Sequence, residues 1–189
     1  MVLPLRFSVV AVSFVDIWSP LDAMLGVVGP LGAAAAVDTA LVIDLDPHGP
    51  HYGGPFSLAD LVGRGPTLDQ LEPARHGPAV LRNGGVLPAD AEEIVSELVT
   101  RWPNVVLRCP QETEASVNAI ALLPLLPEPF TPIVEGRVVY QRNHLSGPGP
   151  GTDIVLPVPR TSTIKSLLDG VLPPRSDRWV KALRQVWRT

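Results

Sequence analysis

Two carboxylates stand at the end of an apolar run in this chain, within the sequence ALVIDLDPHG of residues 40–49. The run is typical of a buried parallel strand, and Asp44 and Asp46 close it. Open α/β sheets bind ligands at the carboxyl ends of their strands. Paired carboxylates there can hold magnesium and position an attacking water, as phosphoryl transfer requires. The same chemistry needs a lysine in an upstream glycine-rich loop, but the first lysine here is Lys165.

Other reactive groups give weaker signals. Asp46 with His48 and His51 offers metal-ligand types, but the surrounding HGPHYGG loop supplies no further ligand, and we predict no metal site. No Gly-x-Ser-x-Gly elbow presents a nucleophile. Cys109 is the one cysteine, so an intramolecular disulfide is excluded, and its apolar context predicts a buried, unreactive thiol.

Composition predicts one soluble globular domain spanning all 189 residues. The formal net charge of -4 gives no general attraction to nucleic acid or to an anionic membrane. The short apolar run at the N-terminus lacks a basic start and a cleavage site, so the cytoplasm is the expected location. Arginine far outnumbers lysine, which is typical of a protein from a GC-rich bacterium.

Strand and helix patterns alternate along the chain, which predicts an α/β three-layer sandwich with a mostly parallel sheet. The predicted strands cover residues 7–14, 40–44, 79–81, 105–107, 138–141 and 154–157. The predicted helices cover residues 21–28, 57–63, 89–102, 112–123, 162–168 and 177–187. The first helix is expected to stop at Pro30.

The order of these pieces resembles the MinD/ParA family of P-loop ATPases, of the SIMIBI class, over nearly the whole chain. ALVIDLDPHG is similar to the family's second-strand motif, and ELVTRWPNVVLRCP stands where a helix and strand lead to a magnesium-site aspartate. RVVYQRNHL resembles the late strand that ends in an adenine-contacting Asn-Arg pair. The resemblance implies a P-loop NTPase-like fold.

Departures from the family pattern fall on the nucleotide site. The phosphate loop is expected between residues 13 and 21, where the chain reads SFVDIWSPL, without glycine or lysine. Arg108 stands in place of the later magnesium-site aspartate, and Gln141 replaces the asparagine beside Arg142. Of the carboxylates, Asp44 and Asp46 remain. We therefore predict a pseudo-ATPase that is not an enzyme and needs no cofactor, with Arg108 paired to Asp44 or Asp46.

The C-terminal helix, predicted within residues 176–189, is basic and amphipathic. Its apolar stripe is formed by Trp179, Leu183 and Trp187, and its basic residues are Arg178, Lys181, Arg184 and Arg188. The favoured interpretation is that the stripe packs onto the sheet while the basic side chains face solvent. The alternative is a peripheral membrane helix or partner-binding helix, because MinD-type members end in one.

We predict that the chain is a protein-binding or positioning module. Its partner is expected to be an active MinD/ParA-type ATPase or a second copy, since relatives sandwich ATP between two subunits. Phe14, Ile17 and Trp18 are the candidate interface residues, predicted to fill the former phosphate space. Two alternatives stay open: a divergent nucleotide hydrolase completed by a second subunit, and a membrane- or DNA-surface adaptor that uses the C-terminal helix.

Overall fold

Seven parallel strands form one sheet in the computed structural model, in the order β3-β2-β4-β1-β5-β6-β7. The structure describes residues 13–67, 77–110, 119–127, 134, 136–144, 146–149 and 154–188. The strands are β1 Ser13–Trp18, β2 Thr39–Asp44, β3 Gly77–Leu81, β4 Asn104–Arg108, β5 Ile120–Pro124, β6 Arg137–Gln141 and β7 Ile154–Leu156.

Helices lie on both faces of the sheet. They are α1 Ala23–Ala35, α2 Leu58–Arg64, α3 Glu92–Arg101, α4 Thr161–Leu168 and α5 Arg178–Leu183, with 3-10 turns at Pro88–Ala91 and Arg184–Trp187. One face packs against α1, α4 and α5, and the other packs against α2 and α3. Neighbouring residues of β2 alternate between these faces, with Val42 in the first core and Ile43 in the second. The predicted α/β sandwich is confirmed, and the sheet is parallel throughout its described strands.

The first strand and helix differ from the prediction. Of the predicted strand at residues 7–14, residues 7–12 lie outside the described part of the chain, and β1 runs from Ser13 to Trp18. The prediction that the first helix stops at Pro30 is wrong, because α1 continues to Ala35 with Pro30 buried inside it. The free energy gained by burying this uniformly apolar helix exceeds the cost of the one backbone hydrogen bond that the proline cannot donate.

The predicted helix at residues 112–123 is wrong where it can be compared with the structure. Residues 112–118 lie outside the described residues, and residues 120–123 belong to β5. Their side chains are buried alternately in two cores, Ile120 and Leu122 in one, Ala121 and Leu123 in the other. A short run that is buried on both faces carries no period that distinguishes a strand from a helix.

None of the helices in the described part of the chain has the length and apolar character needed to cross a membrane.

Candidate functional site

The parallel register of the strands brings the side chains of Asp44 and Arg108 together at the carboxyl edge of the sheet. Asp44 of β2 pairs in register with Arg108 of β4, which is also in register with Ile17 of β1. Arg108 follows Val106 by two residues, so both point to the α1 face of the sheet. Asp44 follows Val42 by two residues and points to the same face.

The guanidinium of Arg108 lies between two carboxylates. Its Nη1 donates to both oxygens of Asp44 at 3.0 Å, and its Nη2 donates to Oδ2 of Asp46 at 2.9 Å. Nη1 also donates to the carbonyl of Pro50 at 2.7 Å. Asp44 and Arg108 are 0% and 3% exposed, so this is a buried ion cluster. The predicted pairing of Arg108 is confirmed, and it involves both aspartates.

Burial controls the protonation of Asp44. Desolvation raises the pKa of this carboxyl from 3.8 to about 6, and the nearby Arg108 guanidinium opposes the rise. Cys109, predicted to be buried, is instead partly exposed, although desolvation still raises the pKa of its thiol to about 12. A thiol with so high a pKa carries little nucleophilic thiolate at neutral pH.

Asp46 organises the loop that follows β2. Its Oδ1 accepts hydrogen bonds from the backbone amides of His48 and Gly49, while Oδ2 accepts from Arg108. The imidazoles of His48 and His51 belong to exposed residues. Within the described ranges, no group of three histidine, cysteine or acidic side chains is placed to hold a metal ion. Asp46 is therefore engaged by the protein's own donors.

Two residues of this cluster were not identified from the sequence. The buried ring of Tyr52 lies 5.3 Å from Cζ of Arg108, and its hydroxyl donates to the carbonyl of Val27. The fully buried Asn83 donates to the backbone carbonyl of Asp44. Both contacts join residues at least 25 positions apart in sequence, and no local pattern predicts them.

The predicted position of the missing phosphate loop needs correction. Residues 13–18 are the central strand β1, so residues 19–22 alone connect it to α1. A phosphate-loop motif takes about eight residues in this place. The side chain of Asp22 caps α1 by accepting from the amide of Leu25 at 3.0 Å. A carboxylate therefore stands at the helix N-terminus, where a phosphate would otherwise find amide donors.

A small cavity lies beside this connection. Its volume is about 50 Å³, and it is lined by Ser19, Ala23, Gly26, Asp46, Gly49, Pro50, Arg108 and Cys109. None of the three residues predicted to fill the phosphate space, Phe14, Ile17 and Trp18, lines this cavity.

The candidate interface residues lie elsewhere. Ile17 is fully buried in the core on the α1 face, so its assignment to an interface is wrong. Trp18 is partly buried against the core on the opposite face. Phe14 is 49% exposed and precedes both in β1. Phe14 and Trp18 are four residues apart and point to one face of β1, whereas Ile17 points to the other, so the three residues do not form one surface.

Gln141, at the predicted adenine-contact position, faces the protein interior. Its Oε1 accepts from Nε1 of Trp179 at 2.6 Å, and its Nε2 donates to the carbonyls of Arg142 and Pro157. The side-chain amide is thus engaged within the protein, and Arg142 itself is exposed. The amide that could contact a base instead fixes the C-terminal helix.

The apolar stripe of the C-terminal helix is buried against α1. Trp179 and Leu183 are at most 1% exposed, and Trp187 donates from Nε1 to the carbonyl of Ala33. The exposed residues of this segment include the four predicted basic ones, Arg178, Lys181, Arg184 and Arg188. The stripe packs in the core, as the favoured interpretation predicted. Insertion into a membrane would first require this helix to leave the sheet.

Comparisons with known proteins support the fold. The ParA family ATPase from Chlorobium tepidum TLS matches with a TM-score of 0.55 and 11% identity, over 95% of this chain and 93% of that one. The VpsO kinase domain matches with a TM-score of 0.42 and 16% identity, over 59% of this chain and 68% of that one. No family model and no curated protein matches this chain. The chain has a ParA-like fold of the P-loop NTPase type. At its carboxyl edge, this protein carries an arginine–dicarboxylate cluster and a four-residue connection from β1 to α1.

Proposed function

We propose that this protein is a degenerate member of the MinD/ParA class that neither binds nor hydrolyses ATP and acts by binding another protein. The observation that carries the proposal is the position of Arg108, whose guanidinium supplies the positive charge between Asp44 and Asp46. A magnesium ion at these carboxylates would have to displace a tethered cation that is 3% exposed.

The start of α1 supports the same proposal. Phosphate binding at a helix N-terminus depends on free backbone amides and on the positive end of the helix dipole. Asp22 already places a carboxylate there, which would repel a phosphate group. The adjacent cavity of about 50 Å³ is also far smaller than the roughly 300–1,000 Å³ of typical ligand sites.

Calorimetric titration of the purified chain with ATP and magnesium tests this part of the proposal. We expect no binding stronger than about 1 mM, because adenine contacts alone rarely supply the roughly 8 kcal/mol of a micromolar complex. A ParA-type ATPase with an intact phosphate loop, titrated in parallel, is the positive control. Micromolar affinity for ATP would overturn the proposal and favour the divergent hydrolase.

The surface available to a partner lies at the carboxyl edge of the sheet. Leu21, Met24, Phe56 and Leu87 are each at least 50% exposed and stand in or beside the connections that follow β1, β2 and β3. We call these four residues the carboxyl-edge patch. Exposed apolar side chains in neighbouring connections at one edge of the sheet offer a candidate binding surface. In our proposal, this patch replaces Phe14, Ile17 and Trp18 as the interface.

Replacing Leu21 and Met24 together with glutamate tests the patch. The matched control is Val171→Glu, because Val171 is 58% exposed in the connection between α4 and α5. We expect the double variant to lose self-association in sedimentation velocity and to lose partners captured from the native cell, while the control keeps both. Equal behaviour of the two variants would show that the patch is not the binding surface.

A further inference from the structure

A second, larger cleft lies on the α1 face of the molecule, apart from the Arg108 cavity. Its volume is about 240 Å³. Val27 and Leu31 of α1 and Val80 of β3 contribute apolar side chains, and Tyr52 forms part of its wall. None of the motifs that resemble a nucleotide site contributes a carboxylate to this cleft.

The polar groups of this cleft are few. Among the described residues that line it, Asp169 carries the one formal charge, and His51 supplies an imidazole. Helix α4 ends at Leu168, which also lines the cleft. The carbonyls of Ser166 and Leu167 in its last turn already accept from the amides of Val171 and Gly170, so Asp169 supplies the negative charge at this opening. The cleft therefore combines an apolar lining with a negative opening.

The wall formed by Tyr52 is held before any ligand binds. Its hydroxyl donates to the carbonyl of Val27 at 2.7 Å, and burial raises the pKa of this hydroxyl, which keeps it a donor. Arg108 holds the loop two residues before Tyr52 by donating a hydrogen bond to the carbonyl of Pro50. A preformed site does not lose affinity to the ordering of its own side chains.

We propose that this cleft binds a small organic cation in which a primary ammonium is attached to an aromatic or branched aliphatic group. The apolar group would lie against Val27, Leu31 and Val80, and the ammonium would face the carboxylate of Asp169. A cleft of about 240 Å³ is somewhat smaller than typical sites for drug-sized ligands. The ligand is thus expected to have about ten non-hydrogen atoms.

A titration of the full-length chain, followed by ¹⁵N–¹H correlation spectra near pH 8, tests this proposal with three probes. They are phenethylamine, its neutral analogue 2-phenylethanol and its anionic analogue 3-phenylpropanoate. We expect saturable shifts at the amides of Gly53, Leu168 and Gly170, with the amine binding about tenfold more tightly than the alcohol. The carboxylate should bind most weakly. No saturable shift, or an amine that binds no better than the alcohol, would overturn the proposal.

Two variants locate the binding. Gly53 lines the cleft and a Cβ there meets no atom within 4 Å, so Gly53→Phe adds a ring at the cleft wall without a clash and is expected to weaken or abolish the shifts. Gly63→Phe is the matched control, because a Cβ at Gly63 on α2 is equally free of contacts. Asp169→Asn should remove the tenfold preference for the amine while binding of the alcohol persists. Wild-type titration curves for Gly53→Phe and Asp169→Asn would place the ligand elsewhere and refute the assignment.

Discussion

Replacing Arg108 with methionine removes the cation that neutralises two buried carboxylates. Methionine keeps an unbranched apolar side chain in the space of the arginine stem. The four hydrogen bonds from the guanidinium to Asp44, Asp46 and the carbonyl of Pro50 are lost. Asp44, which is 0% exposed, is left as an uncompensated charge.

The expected cost follows from that uncompensated charge. Removing one partner of a buried ion pair lowers the free energy of unfolding by about 3–5 kcal/mol, a large share of the roughly 5–15 kcal/mol that stabilises a typical domain. With a urea dependence of about 2 kcal/mol per molar, the unfolding midpoint should fall by about 2 M. The matched control is Arg101→Met, because the pair between Arg101 and Glu97 is exposed on α3. Its effect should stay below about 1 kcal/mol.

The pH dependence of the Arg108→Met variant provides a sharper test. Burial already raises the pKa of Asp44 to about 6, and the guanidinium opposes this rise, so its loss should raise the pKa further. Between the unfolded pKa and this higher folded pKa, the native state holds more protons than the unfolded state. The variant should therefore gain stability as pH falls from about 7 to about 5.

A double variant separates the charge from the packing. Adding Asp44→Asn to Arg108→Met removes the unpaired charge and should restore part of the lost stability at neutral pH. Urea unfolding, followed by circular dichroism, is measured for the wild type, Arg108→Met, the double variant and the control Arg101→Met. A loss below about 1 kcal/mol for Arg108→Met, or a loss that is the same at both pH values, would refute the account of the cluster.

Two further substitutions test the contacts around the site, both by urea unfolding. Gly49→Ala should lower the free energy of unfolding by about 1–3 kcal/mol, because a Cβ there meets the carboxylate of Asp46. Gly53→Ala, where the Cβ is free of contacts, should change it by less than about 1 kcal/mol; equal effects would contradict this reasoning. Gln141→Leu should cost about 1–3 kcal/mol, because Nε1 of Trp179 loses its buried acceptor. An unchanged midpoint would show that a water replaces the amide.

Part of the site could be predicted because parallel strands have simple rules. An apolar run that ends in a carboxylate predicts a strand end at the ligand-binding edge, and β2 does end at Asp44. The chain also places Arg108 at the end of another such run, and an unpaired buried charge would be costly. The pairing of these two residues was therefore predictable from charge and strand order.

Other features depend on tertiary contacts that no local pattern contains. The apolar N-terminal region allows several positions for a first strand, and pairing with β4 and β5 sets the one that ends at Trp18. Because β1 ends at Trp18 and not at residue 14, the connection to α1 is shorter than predicted and Ile17 lies in the core. Likewise, Tyr52 lies in a glycine-rich loop, and its contact with Arg108 joins residues more than fifty positions apart.

A tethered guanidinium and an exchangeable metal ion differ in what they do to the strand ends. A magnesium ion and its nucleotide can enter and leave, so the arrangement that they stabilise depends on their concentration. The guanidinium of Arg108 is part of β4 and holds Asp44, Asp46 and the carbonyl of Pro50 whenever the chain is folded. On the proposed function, the carboxyl-edge patch is therefore presented in one arrangement at all nucleotide concentrations. The affinity of a partner for this patch should therefore be the same with and without ATP, whereas the affinity of a partner for an ATP-dependent relative should change with ATP concentration.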